Sequence, residues 1–123
     1  MAKRALVCDD LASDRLILAQ ILRKLGIEVI EAKSGQEGIE MSKAHKPDII
    51  FMDIVMPDIN GFQVIRQISK APETLHIPIV MVSTKDRGPD IMNGKQNGAK
   101  GHVCKPAKLD VIKGELTKLN FTY

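Results

Sequence analysis

Pro47-Asp48-Ile49-Ile50-Phe51-Met52-Asp53 is the stretch that decides the fold. A proline opens it, an unbroken apolar run fills 49–52, and an acid closes it. Successive side chains of a strand point to opposite faces, so a run apolar at every position needs cover on both faces. That is the situation of a strand inside a parallel sheet wrapped by helices. The run at about 48–52 is therefore expected within such a sheet, with Asp53 at its carboxyl end.

The pattern repeats outward in both directions. Upstream, Ala5-Leu6-Val7-Cys8 reads as a strand at about 4–8, closed by Asp9 and Asp10. A helix is expected at about 14–25, with Ser13 as N-cap, Gly26 as stop and a stripe of Leu18, Ile21, Leu22 and Leu25. A short strand near 27–32 follows, and Ser34 with Glu37 forms a capping box for a helix at about 35–45. Downstream, Asn60-Gly61 opens a helix carrying Phe62, Ile65 and Ile68. A fourth strand starts at Pro78 and is closed by Ser83, and a fifth near 101–104 is closed by Lys105-Pro106. The last helix, about 107–119, carries Leu109, Ile112 and Leu116. Gly88, Pro89 and Gly94 predict a short or irregular helix within 86–97, a natural place for a conformational readout. Five strand-helix units in series predict an α/β fold, a doubly wound (βα)5 five-stranded parallel sheet in one domain, residues 1–123.

Composition agrees with this class. The 123 residues are 44% hydrophobic, enough for a real core, yet no apolar run approaches the roughly 20 residues that span a bilayer. The start, Met1-Ala2-Lys3-Arg4, runs straight into a strand and lacks a signal peptide's apolar region. The net charge of +3 is mild and its lysines are dispersed, which reads as solvated surface rather than a nucleic-acid footprint. A cytoplasmic protein is expected, with no membrane insertion and no nucleic-acid partner.

Asp9, Asp10, Asp53, Ser83 and Lys105 all fall where apolar strands stop. In an open parallel sheet the carboxyl ends line one edge, and ligands bind there. Taken singly, each residue is an ordinary cap, turn former or surface charge; together they form one charged site. Crowded carboxylates resist full ionisation, and Mg²⁺ relieves that by taking one or two carboxylates, waters and phosphate oxygens. Lys105 adds a cation and Ser83 a hydroxyl donor, a set suited to a phosphoryl group carried on an aspartate.

These residues, with Asp53-Ile54-Val55-Met56-Pro57 and Gly61, Val82-Ser83-Thr84, Gly98-Ala99 and Lys105-Pro106, resemble the receiver domains of bacterial two-component signalling over essentially the whole chain. In length the chain is similar to the single-domain chemotaxis regulators. The resemblance implies the flavodoxin-like (CheY-like) strand order 2-1-3-4-5 and Asp53 as acceptor of a phosphoryl group from a histidine kinase. It implies Mg²⁺ on Asp10, Asp53 and the Val55 carbonyl, with Asp9 acting largely through water. Ser83 and Lys105 would contact the phosphate, and the Lys105-Pro106 bond would be cis. The stretch 52–70 and the runs Ser83-Thr84-Lys85-Asp86 and Gly94-Lys95 look most like regulators of pilus-based, or twitching, motility. No output domain is expected after Tyr123, and output is expected from a monomer that binds a protein target. A phosphate sink or relay intermediate, or an unphosphorylated interaction module, is the alternative. A hydrolase with an aspartate nucleophile usually needs a second acid two residues on, where this chain has Val55.

Three positions depart from the family pattern or bear on its tuning. Where the family has Tyr or Phe as a switch ring, this chain has His102, smaller and polar. Val55 and Lys85, two residues after Asp53 and Ser83, stand where the family controls the hydrolytic water, and an apolar Val55 predicts a long-lived phosphoryl group. Cys8 and Cys104 sit on the first and fifth strands, three spacings or roughly 14 Å apart in that strand order. That exceeds the ~7 Å Cα limit of a disulfide, so both are expected as small core residues.

Overall fold

The computed structural model describes residues 2–84 and 88–123, so the expectations for Lys85 and for 86–87 lie outside the described residues. Five strands alternate with five helices. They are β1 Arg4–Cys8, α1 Ala12–Lys24, β2 Glu28–Ala32, α2 Gly35–His45, β3 Ile49–Asp53, α3 Gly61–Lys70, β4 Ile79–Ser83, α4 Gly88–Asn97, β5 Gly101–Cys104 and α5 Leu109–Lys118. All pairings are parallel, in the order β2-β1-β3-β4-β5.

Strand parity divides the core in two. Leu6, Cys8, Ile50, Met52, Ile79 and Met81 face one way and pack against Ile39 of α2 and Val64, Ile65 and Ile68 of α3. Ala5, Val7, Ile49, Phe51, Val80 and Val82 face the other and pack against Leu18 and Leu22 of α1 and Ile112 and Leu116 of α5. Every residue of β3 is buried. Each large side chain so buried contributes about 1.5–3 kcal/mol, which makes this central strand the main anchor of the sheet.

Most helix boundaries follow local chemistry. Ser34 Oγ accepts the Glu37 N–H at 3.1 Å, and Glu37 Oε1 reaches back to the Lys33 N–H at 3.1 Å, one residue earlier than a standard capping box. Asn60 Oδ1 accepts the Phe62 N–H at 2.8 Å at the start of α3. Gly26, with φ of 83°, takes the left-handed conformation that ends α1.

Three expectations need correction. α1 is capped at Leu11, not Ser13, because Asp9 Oδ1 accepts the Leu11 N–H at 3.0 Å and turns the chain into the helix earlier. The segment 88–97 is a regular helix of 10 residues. Gly88 and Pro89 fall in its first turn, where proline's missing N–H is harmless, and Gly94 is buried against Met81, whose sulfur would lie 2.4 Å from an added Cβ. Leu109 is exposed, since it is the first residue of α5 and leaves only Ile112 and Leu116 buried in the stripe. Cys8 and Cys104 are both free; Cys8 is buried, Cys104 only partly.

Gly61 brings α3 against the end of β3. A Cβ there would lie 2.4 Å from Ile54 Cα and 2.5 Å from the Asp53 carbonyl oxygen, both backbone atoms that cannot rotate away. Gly61→Ala should therefore destabilise the fold by about 1–3 kcal/mol, the usual cost of overpacking. Urea denaturation followed by circular dichroism measures this; an unchanged midpoint would contradict it.

Candidate functional site

The carboxyl ends of β1, β3, β4 and β5 bring the acids, the hydroxyl and the amine together. Asp9 is the first residue past β1, and its N–H still extends the ladder to the Ala32 carbonyl at 3.0 Å. Asp53 is the last residue of β3 and Ser83 the last of β4, both buried. Lys105 follows β5, with its N–H bonded to the Ser83 carbonyl at 2.6 Å, and the Lys105-Pro106 peptide is cis.

The Lys105 amine is the centre of the charge arrangement. Its Nζ lies 2.8 Å from Asp9 Oδ2, 3.0 Å from Asp14 Oδ2 and 3.5 Å from Asp53 Oδ1. Burial alone would lower its pKa, but hydrogen bonds to Asp9 and Asp14 and the charges of Asp53 and Asp9 outweigh burial and raise it. Asp53 moves the other way. Its pKa is pushed up to about 6, first by burial and then by the charge of Asp9, against the pull of Lys105 and of a hydrogen bond from the Val55 backbone. Asp9, Asp10 and Asp53 each offer a carboxylate oxygen, all within 4.8 Å of one another. Two buried like charges and an all-oxygen donor set fit Mg²⁺, which prefers hard oxygen ligands and keeps some of its water. The Val55 side chain is 71% exposed at the rim, in the loop that follows Asp53.

On the hydroxyl side, Ser83 Oγ lies 3.1 Å from His102 Nε2. Register explains the contact. Met81 pairs with His102 and Ser83 with Cys104, so these side chains share the sheet face covered by α3 and α4. Cys104 Sγ is 3.9 Å from the same ring nitrogen. Cys8 is a bystander; burial first, and then the charge of Asp9, pushes its thiol pKa up to about 12, which leaves it unreactive.

Sequence reasoning missed three residues. Asp14, on the first turn of α1, is the second carboxylate on Lys105; Arg15 is buried beside it, with Nη1 on the Asp9 carbonyl at 2.8 Å and Nε on Glu31 at 3.0 Å. Their place in the first turn of the helix that follows Asp9 was a usable signal. Asp58 had none, because its partners lie 22 and 23 residues away. Its two carboxylate oxygens accept the Gln36 and Gly35 N–H groups at 3.0 and 3.1 Å, capping α2 and tying it to the loop that follows Asp53. Those bonds hold the Asp58 carboxyl below its ordinary range.

Residues 5–117 match the response regulator receiver domain family. The chain belongs to that family. Protein PilH of Pseudomonas aeruginosa is 42% identical over 109 residues, covering 89% of this chain and 90% of PilH. Chemotaxis protein CheY of Thermotoga maritima is 36% identical over 121 residues, covering 98% of this chain and 99% of that protein. The crystal structure of chemotaxis response regulator CheY4 of Vibrio cholerae superimposes with a TM-score of 0.88 at 25% identity, covering 99% of this chain and 100% of that one. Receiver domains are signalling proteins rather than metabolic enzymes, and family members generally use Mg²⁺. Among the described residues no helix is long and apolar enough to cross a membrane.

The raised Asp53 pKa makes a stability prediction for the metal-free protein. The folded state holds the Asp53 proton more tightly than the unfolded chain, so this contribution is present below pH about 4 and is lost as pH rises through about 6. With 1.36 kcal/mol per pKa unit, the loss is about 3 kcal/mol. In EDTA, Asp53→Asn should be more stable than the parent chain at pH 8, with the difference shrinking toward pH 4. Urea midpoints across that range measure it; a constant difference would contradict it.

Proposed function

We propose that this receiver accepts a phosphoryl group on Asp53 from a histidine kinase and signals by binding a protein target in its phosphorylated form. The observation that carries this is Asp53 itself: a buried acid at the end of the central strand, flanked by an acid pair and 3.5 Å from the Lys105 amine. An Asp53 carboxylate oxygen attacks phosphorus, the phosphorus–nitrogen bond to the donor imidazole breaks, and the departing nitrogen keeps the electron pair. Asp10, Asp53 and the Val55 carbonyl would hold Mg²⁺, with Asp9 acting through water, and the ion would supply neutralisation of charge on the transferring oxygens. Lys105 pairs with a phosphoryl oxygen, exchanging part of its carboxylate contacts for the new anion. Ser83 donates its hydroxyl hydrogen to another. The Val55 side chain presents no hydrogen-bonding group that would orient a hydrolytic water, so the phosphoryl group persists.

The similarity to PilH across nearly the whole of both chains supports a place in pilus-based motility. The target would read the phosphorylated state on the face made by α4, β5 and α5, onto which Ser83 connects through His102.

Incubation with Mg²⁺ and acetyl phosphate, followed by intact mass measurement, should show one added phosphate on the parent chain and none on Asp53→Asn. Labelling of that variant at the parent rate would overturn the assignment. Asp10→Asn should weaken Mg²⁺ binding at least about tenfold, since loss of even an outer-shell partner costs that much. The chain has no tryptophan, so calorimetry rather than fluorescence is the measurement. An unchanged affinity would place the ion elsewhere.

A further inference from the structure

We infer that Asp14 competes with the phosphoryl group for Lys105: it holds the ammonium in the unphosphorylated chain, is the partner that Lys105 gives up on phosphorylation, and so biases the chain toward the unphosphorylated state. This rests on the reading of Asp53 as the phosphoryl acceptor. Asp14 stands outside the cluster suited to the metal, whose members are Asp9, Asp10 and Asp53. Yet its Oδ2 lies 3.0 Å from Lys105 Nζ, closer than Asp53 Oδ1 at 3.5 Å. An acid with no part in the phosphoryl chemistry thus has the better hold on the cation that the chemistry needs.

An ammonium has three hydrogens, and three carboxylates already face this one. A phosphoryl oxygen is a fourth claimant, so one contact yields. The acids differ in what release would cost. The Asp9 side chain is only 6% exposed, and a buried carboxylate stripped of its cation is strongly destabilising. Asp53 carries the phosphoryl group and stays beside the amine. The Asp14 side chain is 31% exposed and stands in the first turn of α1, where water and the helix dipole both stabilise a carboxylate that has no cation. Asp14 is therefore the contact that yields. A cleft lined by Asp14, Ile17, Lys105 and Pro106 leaves room beside the Lys105 side chain for the exchange. A neutral side chain at position 14 would leave more of the Lys105 charge to the phosphoryl oxygens and remove a negative charge from their neighbourhood.

The test measures binding of beryllofluoride, a phosphoryl mimic, by fluorine-19 NMR on the full chain at saturating Mg²⁺. Asp14→Asn should bind it about fivefold more tightly than the parent chain, the worth of one partly exposed ion pair. Asp14→Glu keeps the charge and should stay within about twofold of the parent. A merely structural Asp14 predicts the opposite sign, with the neutral variant binding more weakly. In a crystal structure of the parent complex, Lys105 Nζ should be hydrogen-bonded to a fluorine and out of reach of Asp14. Unchanged or weaker binding by Asp14→Asn, an equal gain in Asp14→Glu, or a Lys105–Asp14 contact kept beside the bound mimic would overturn the inference while leaving Asp53 as acceptor. No binding by the parent chain, or parent-like binding by Asp53→Asn, would overturn the acceptor reading and the inference with it.

Discussion

The Lys105 ammonium lies within 3.5 Å of carboxylates from Asp9, Asp14 and Asp53, and the edge of the sheet depends on that contact. Two of those acids are almost wholly buried, and an ionised group in that position needs a partner to remain charged. The ion pairs join the turn after β1, the first turn of α1, the end of β3 and the end of β5, so one amine ties both ends of the chain to its middle. One cation does not balance three carboxylates with Asp10 nearby. Burial and the charge of Asp9 raise the Asp53 pKa, and the surplus of carboxylates makes the donor set suited to a divalent cation.

The hydroxyl side works through strand register. Because β4 and β5 are parallel and in step, Ser83 and His102 share one sheet face, and the Ser83 carbonyl also holds the Lys105 N–H. The groups that would touch a phosphoryl oxygen are thus linked through the backbone of two adjacent strands. A hydrogen bond joins Ser83 to His102, which lines the cleft between α4 and α5. On the opposite flank, Asp58 caps α2 from the loop after β3, so that loop is tied to its neighbouring helix rather than left free.

The sequence by itself determined the class of fold and the principal members of the site. An apolar run at every position of 49–52 demands cover on both faces, and only a parallel sheet between helices supplies it. Residues at strand ends inherit a common edge from that arrangement, which is why Asp9, Asp10, Asp53, Ser83 and Lys105 were legible as a group. Local signals also placed the caps at Ser34 and Asn60, whose side chains bond groups two or three residues away.

Only the tertiary structure decided the contacts between distant segments. Ser13 looked like a cap, but Asp9 captured the Leu11 N–H and started α1 sooner. Gly88, Pro89 and Gly94 argued against a regular helix until their positions, in the first turn and against Met81, made them harmless. Asp14 on Lys105, Asp58 on α2 and His102 on Ser83 join residues 91, 22–23 and 19 positions apart. Periodicity and capping act over a turn of helix or a few residues of strand, whereas these bonds exist only once sheet order and register bring the partners within 3.1 Å.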